Sequence, residues 1–228
     1  MKDLLIIIPA YNEAKNLSGV ISQLRAVAGD HSILVVDDGS RDDTFNVCKE
    51  LGIKVARHKV NLGLAQAIRT GMQYALSNGY EYGMQFDADG QHDATAVKNL
   101  YDTIKQTDAD IVIGSRYIKK TVKLTPRIIG GRVISGCIRL TTRTRISDPT
   151  SGMRIYDRHV MELFVRSSLY SPEPDTLSYL LKKGIKVSEV SVSMNERMSG
   201  KSYLDIVGSM RYMFRICTSI LLLSRIRS

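Results

Sequence analysis

Five short strand-like runs punctuate the first half of the chain, at Leu4–Ile8, Ser32–Val36, Ile53–His58, Tyr82–Phe86 and Asp110–Gly114. A strand buried on both faces of a sheet reads as an uninterrupted apolar run, and Leu4-Leu5-Ile6-Ile7-Ile8 is the clearest case. Helical spacing separates the runs, as at Leu17, Val20, Ile21 and Leu24. Strands alternating with helices of this length predict the α/β class, a Rossmann-like doubly wound sheet with helices on both faces. No internal repeat, low-complexity stretch or linker divides the chain.

Composition narrows the function. At 228 residues the chain fits one large domain, or a domain with a small appendage, and a charged share of 24% is that of a soluble globular protein. The net charge of +9 points to an anionic partner: nucleic acid, acidic lipid or a phosphorylated substrate. Cys48, Cys137 and Cys217 are odd in number, far apart and without metal spacing, which implies a reducing compartment and no disulfide framework. The N-terminal run stops at Pro9, too short for a signal-peptide core or a spanning helix, so a cytoplasmic protein is expected.

The stretch Met84-Gln85-Phe86-Asp87-Ala88-Asp89-Gly90-Gln91-His92 carries the chemistry. In open α/β sheets the ligand crevice lies beyond the carboxyl ends of the strands, and here a strand ends in two carboxylates one residue apart. If the strand continued that far, Asp87 and Asp89 would share a face. Like charges so close call for a cation or a bound proton. Carboxylate oxygens completed by water and substrate phosphates suit Mg²⁺ or Mn²⁺. His92, beside the acidic site, reads as a metal ligand or a base. Asp38 reads as a nucleotide contact or a turn residue, and Glu173 and Asp175 as cleft residues or the acidic start of a helix.

Beyond Ser115 the pattern loosens. Arg116 to Lys123 is expected to be a basic loop, a helix is expected over Gly130 to Arg143, and Asp148 to Arg154 is turn-forming and need be no more than a connector. A helix over Glu173 to Lys183 and a half-exposed strand over Lys186 to Met194 follow, then a flexible basic turn, Glu196 to Ser202. In the last segment, Tyr203 to Ser224, an apolar stripe of Val207, Met210, Phe214, Cys217 and Leu221 lies apart from Arg211 and Arg215. Two placements fit it: an interfacial amphipathic helix on an anionic membrane, or a helix packed on the domain or in an oligomer contact.

Seven motifs stand in the order seen in one known family: Ile8-Pro9-Ala10-Tyr11-Asn12-Glu13, Val35-Val36-Asp37-Asp38-Gly39-Ser40, Asn61-x-Gly63, Asp87-Ala88-Asp89-Gly90-Gln91-His92, Gly114-Ser115-Arg116, Asp148-x-x-Ser151-Gly152-Met153-Arg154 and Arg197-x-x-Gly200-Lys201-Ser202. From Leu4 to about Tyr203 the chain resembles the inverting family 2 glycosyltransferases of the GT-A fold, and within them the dolichyl-phosphate mannose synthase and undecaprenyl-phosphate hexose transferase branch. The resemblance implies a catalytic domain over residues 1–202 built on a mixed sheet, followed by an amphipathic helix over 203–228. It implies that Pro9, Tyr11, Glu13 and Asp37 line the nucleoside pocket, and that Asp87, Ala88, Asp89 and Gln91 hold the metal and the donor diphosphate. Arg197 and Lys201 would close over that diphosphate, and Arg116, Arg132 and Ser135 would take the acceptor's phosphate.

The implied substrates are a nucleoside diphosphate sugar and a polyprenyl phosphate, with no nucleic acid. The implied location is peripheral, at the inner face of the membrane, with a small membrane subunit or a second copy as a further partner. Rival expectations are a family 2 enzyme acting on a saccharide hydroxyl, which needs a catalytic carboxylate such as Glu173 or Asp175, and a non-catalytic module binding anionic ligands. A sugar-phosphate nucleotidyltransferase would want a glycine-rich loop after the first strand, and Pro9 to Glu13 contains no glycine.

Overall fold

The computed structural model describes residues 2–27, 29, 31–118, 126–193 and 206–226. Along the chain run β1 (Lys2–Ala10), α1 (Ala14–Val27), β2 (Ser32–Asp37), α2 (Thr44–Glu50), β3 (Lys54–Arg57), α3 (Leu64–Ser77), β4 (Tyr80–Gln85), α4 (Ala96–Gln106) and β5 (Ile111–Ser115). Then come α5 (Pro126–Thr142), β6 (Arg154–Asp157), α6 (Arg158–Arg166), α7 (Pro174–Lys182), β7 (Val187–Ser191) and α8 (Ile206–Ile226). The strands form one sheet in the order β3-β2-β1-β4-β6-β5-β7. Every pairing is parallel except those of β6, which runs antiparallel between β4 and β5.

Side chains of a strand alternate between faces, and β1 feeds both sides of the core. Leu4, Ile6 and Ile8 pack with Leu17, Val20, Val97 and Leu100 from α1 and α4. Leu5 and Ile7 pack with Ala67, Ile68, Met72, Val160 and Phe164 from α3 and α6. Helices on both faces leave β1 no polar side, which is why its sequence does not alternate. The cysteines are free thiols, and burial pushes Cys48 and Cys217 up to about 11, far from nucleophilic at neutral pH.

Two expectations need correction. The strand bearing the acidic pair stops at Gln85, so Asp87 and Asp89 lie in the loop and turn beyond it instead of on one strand face. The segment from Asp148 to Arg154 is more than a connector, because it delivers β6 into the interior of the sheet. Neither β6 nor α6 was expected: four residues flanked by charge make no apolar run, and α6 follows with no loop, Asp157 Oδ1 capping it by accepting from Val160 N–H at 2.8 Å. On α8, for which two placements were open, the stripe lies largely on the outer face while another face packs on the domain. Ile216 and Ile220 are the buried residues, with Tyr212, Met213 and Cys217 beside them against the core. Met210, Phe214 and Leu221 are exposed.

Candidate active site

Parallel strands β1, β2, β4 and β5 end at one edge of the sheet, and the reversed direction of β6 brings its entry turn, residues 148–153, to that same edge. Here lie Pro9 to Glu13, Asp37 to Ser40, Asp87 to Gln91 and Arg116. The geometry depends on that reversal.

The acidic turn is braced from three sides. Asp87 Oδ1 accepts from Gln85 Nε2 at 3.1 Å, and Asp89 Oδ1 accepts from Gln91 N–H at 3.0 Å. Gly90 closes the turn at φ +77°, where a side chain would be strained. Buried His92 accepts the Asp87 backbone N–H on Nδ1 at 3.0 Å, so the neutral ring keeps its proton on Nε2, 3.5 Å from Asp87 Oδ2. With one nitrogen taken and the other facing Asp87, His92 positions the carboxylate and has no lone pair for a metal. Gly152 lies against Asp87, and a methyl group there would overlap Oδ2.

Asp87 and Asp89 are both partly exposed. Among the described residues no group of three His, Cys, Asp or Glu side chains is placed to hold a metal. Two carboxylates fit a hard ion that takes its other ligands from water and phosphate oxygens. They do not fit structural zinc, which wants a full nitrogen and sulfur shell.

On one side of the acidic turn, the loops after β1 and β2 are zipped together. Asn12 N–H donates to Ser40 Oγ and Glu13 N–H to Thr44 Oγ1, both at 2.9 Å, and Ala14 N–H to Asp42 Oδ2 at 3.2 Å. Pro9, Tyr11 and Glu13 are half-buried along this seam, and Ala88 is buried beneath the acidic turn. Asp37 is fully buried. Its Oδ1 accepts from Ser40 N–H at 2.9 Å, and Oδ2 lies 3.1 Å from Arg57 Nε as an ion pair without hydrogen-bond alignment. What this position presents outward is therefore the Arg57 guanidinium, beside a cavity of about 330 Å³ lined by Gly39, Ser40, Arg57, His58 and Lys59. Asp38 is a turn residue: it accepts from Leu62 N–H and Gly63 N–H at 2.9 and 2.8 Å and from His58 at 2.7 Å, pinning the loop before α3.

On the other side Arg116 is held by Asp148, which is wholly buried. Nε donates to Oδ2 and Nη2 to Oδ1, each at 2.6 Å, and Nη2 also reaches Thr150 Oγ1 at 3.0 Å. Burial alone would lower the Arg116 pKa, but the bonds and charge of Asp148 outweigh it and raise the value, so the guanidinium stays charged. Arg132 is exposed on α5, and Ser135 Oγ, half-buried, donates to the Ile146 carbonyl. Gly131 brings α5 close to Thr150 Oγ1. Arg197 and Lys201 lie outside the described residues.

Sequence reasoning assigned no role to Gly152, Thr150, Arg154 or Glu189. Arg154 is buried, donating from Nε to the Ser151 carbonyl at 2.8 Å and from Nη2 to the Pro149 carbonyl at 2.6 Å, which fixes the turn beside Asp87. The available signal was an arginine next to a turn motif in a chain segment too short to read as a strand. Glu173 and Asp175 face α8: Glu173 pairs with Arg215 at 3.2 Å, and Asp175 Oδ2 accepts from Ser219 Oγ at 2.7 Å. Burial raises the Glu173 pKa against the opposing pull of Arg215.

Comparison with known proteins adds an independent line. Residues 5–164 match the family described as glycosyl transferase family 2. A polyprenol monophosphomannose synthase from Mycolicibacterium smegmatis is 32% identical, over 93% of this chain and 84% of that protein. A UDP-N-acetylglucosamine–dolichyl-phosphate N-acetylglucosaminyltransferase from Methanococcus voltae is 27% identical, over 84% of this chain and 85% of its own length. Among solved structures, glucosyl-3-phosphoglycerate synthase from Mycobacterium tuberculosis with Mn²⁺, uridine diphosphate and phosphoglyceric acid aligns with a TM-score of 0.68 at 15% identity. That alignment covers 97% of this chain and 79% of that one, and shows a shared GT-A fold.

Proposed function

The chain belongs to glycosyltransferase family 2, and we propose that it moves a hexose from a UDP- or GDP-linked donor to the phosphate of a polyprenyl carrier, inverting the anomeric centre. One observation carries this reading: at the same end of the sheet as the acidic turn stands an arginine held in place by a buried carboxylate, a group that can seat an anion but cannot act as the general base a hydroxyl acceptor needs. A phosphate monoester needs no base, since its second pKa is about 6 and it is already ionised near neutrality. It needs cations to hold it near the anomeric carbon, and arginine's planar fork suits phosphate. The carboxylates that a saccharide acceptor would call on, Glu173 and Asp175, are engaged by α8.

Asp87 and Asp89, with Gln91 in support, would hold Mg²⁺ or Mn²⁺, which supplies Lewis-acid neutralisation of the diphosphate. The structural relative bound to Mn²⁺ favours such an ion. The seam of Pro9, Tyr11, Glu13 and Ala88, with Asp37 behind Arg57, takes the nucleoside. Arg116 and Arg132 seat the lipid phosphate, Ser135 joining them only if its hydroxyl turns from the Ile146 carbonyl, and attack on the face opposite the leaving diphosphate inverts the sugar carbon. From the sequence motif alone, Arg197 and Lys201 are assigned to the donor diphosphate. Residues 1–202 are the catalytic unit and 203–228 its membrane-contacting appendage, and the product feeds cell-envelope glycan or glycoconjugate assembly.

Charge distribution supports a peripheral position on an anionic bilayer. Residues 116–147 and 206–228 hold 13 of the 32 lysines and arginines and none of the 23 acids. These segments contain α5 and α8, which pack together and expose Ile129, Val133, Leu140, Met210, Phe214 and Leu222. No helix among the described residues is long and apolar enough to cross a membrane.

The test is an acceptor comparison: UDP- and GDP-sugars offered with short-chain polyprenyl phosphate, the matching polyprenol, or free saccharides. Product is expected only with the phosphate, and transfer to saccharides at an equal rate would move the protein to the hydroxyl-acceptor class.

A further inference from the structure

Resting on the acceptor assignment above, we infer that Asp148 and Glu189 are positioning residues that ration the donors of Arg116, leaving one edge of its guanidinium for the incoming phosphate. An arginine side chain has five N–H donors. Asp148 and Thr150 account for three of those on Arg116: Nε–H on Asp148 Oδ2, and the two Nη2 hydrogens on Asp148 Oδ1 and Thr150 Oγ1. The Arg116 backbone N–H also donates to Asp148 Oδ2, at 3.1 Å. Among the described residues Nη1 has no acceptor, and its two hydrogens form the edge that remains for a ligand.

Asp148 is in turn held from behind. Both oxygens of Glu189 on β7 are spent on consecutive backbone amides, Oε2 accepting from Ser147 N–H at 2.7 Å and Oε1 from Asp148 N–H at 2.9 Å. Thr150 donates to Asp148 Oδ1 at 3.2 Å and completes the frame. A carboxylate on β7, the strand paired with β5, thus sets the backbone that sets the carboxylate that sets the arginine. Its long, rotatable stem would otherwise let Arg116 swing toward Asp87, whose charge it already feels. Such a swing would pair the acceptor's cation with the donor's acid and leave the lipid phosphate without a seat.

The experiment measures KM for short-chain polyprenyl phosphate and Kd for the nucleotide sugar in Asp148→Asn, Glu189→Gln, Thr150→Val, Arg116→Ala and the double variant Arg116→Ala/Asp148→Asn. Mispositioning of a reacting group costs up to about a hundredfold, so KM for the lipid phosphate is expected to rise about tenfold or more in Asp148→Asn and less in the other two frame variants. Donor Kd should stay within about twofold. Because Asp148 acts through Arg116, the double variant should be no worse than Arg116→Ala alone, the non-additivity of residues working as one unit. Additive losses, or a donor Kd rising in step with KM, would overturn the inference. If Asp148→Asn fails to fold, Glu189→Gln and Thr150→Val carry the same comparison, and an unchanged lipid-phosphate KM in both overturns it equally. Wild-type protein inactive on polyprenyl phosphate would instead remove the acceptor assignment itself.

Discussion

Asp87 and Asp89 sit in one turn with different supports: Asp87 is flanked by Gln85, His92 and Gly152, Asp89 by the Gln91 amide. Gly152 gives this a sharp test. Its backbone is not in the left-handed region, so alanine there carries no conformational penalty, and its only offence is the overlap with Asp87 Oδ2. Gly152→Ala should therefore keep its melting temperature within a few degrees while losing turnover by about tenfold or more, the scale on which outer-shell changes act on metal sites. Circular dichroism melts beside a transfer assay check this. Equal loss of fold and activity would mean that the residue only packs. Asp89→Ala should cost roughly a hundredfold or more in kcat, as removal of a preorganised electrostatic partner does elsewhere.

The elements show what sequence could and could not carry. Leu4 to Ile8 declared its strand because both faces of β1 are buried, and the acidic pair after Phe86 marked the right edge of the sheet. The short strand β6 was illegible: Arg154 is buried only because carbonyls of its own turn accept its hydrogens, a three-dimensional fact that no periodicity encodes. Without β6 the turn from Asp148 to Gly152 reads as a connector, and the partner of Arg116 stays hidden. The last helix was half legible, since its apolar residues exceed one face and periodicity alone does not say which face packs. That division predicts a contrast. Ile216→Ala, at a buried position, should destabilise by about 2–4 kcal/mol, whereas Phe214→Ser, 71% exposed, should change stability by no more than about 0.5 kcal/mol. Denaturant unfolding of both variants checks the contrast. Similar losses would mean that Phe214 is packed.

At the scale of the molecule, positive charge gathers in two segments of the chain. Outside residues 116–147 and 206–228 the chain holds 19 basic against 23 acidic side chains, so its net positive charge belongs wholly to the segments bearing α5 and α8. Each basic residue near an anionic leaflet contributes about 1 kcal/mol, and salt screens it. Sedimentation with vesicles should accordingly show binding to anionic lipid that falls as salt rises, little binding to zwitterionic lipid, and weaker binding by Phe214→Ser. Salt-insensitive binding to both would replace electrostatic attachment by insertion. The site faces the same region, since Arg116 opens the basic segment and Gly131 of α5 meets Thr150. On the proposed reading, the acidic turn handles the donor through a divalent ion and the basic side handles the lipid phosphate. The most direct measurement is release of nucleoside diphosphate from a sugar nucleotide in the presence of polyprenyl phosphate, with Mn²⁺ or with chelator, for wild type and Asp89→Ala. Release that needs the lipid phosphate and the ion, and that collapses in Asp89→Ala, is the predicted result, and release indifferent to chelation in the wild type would contradict the account.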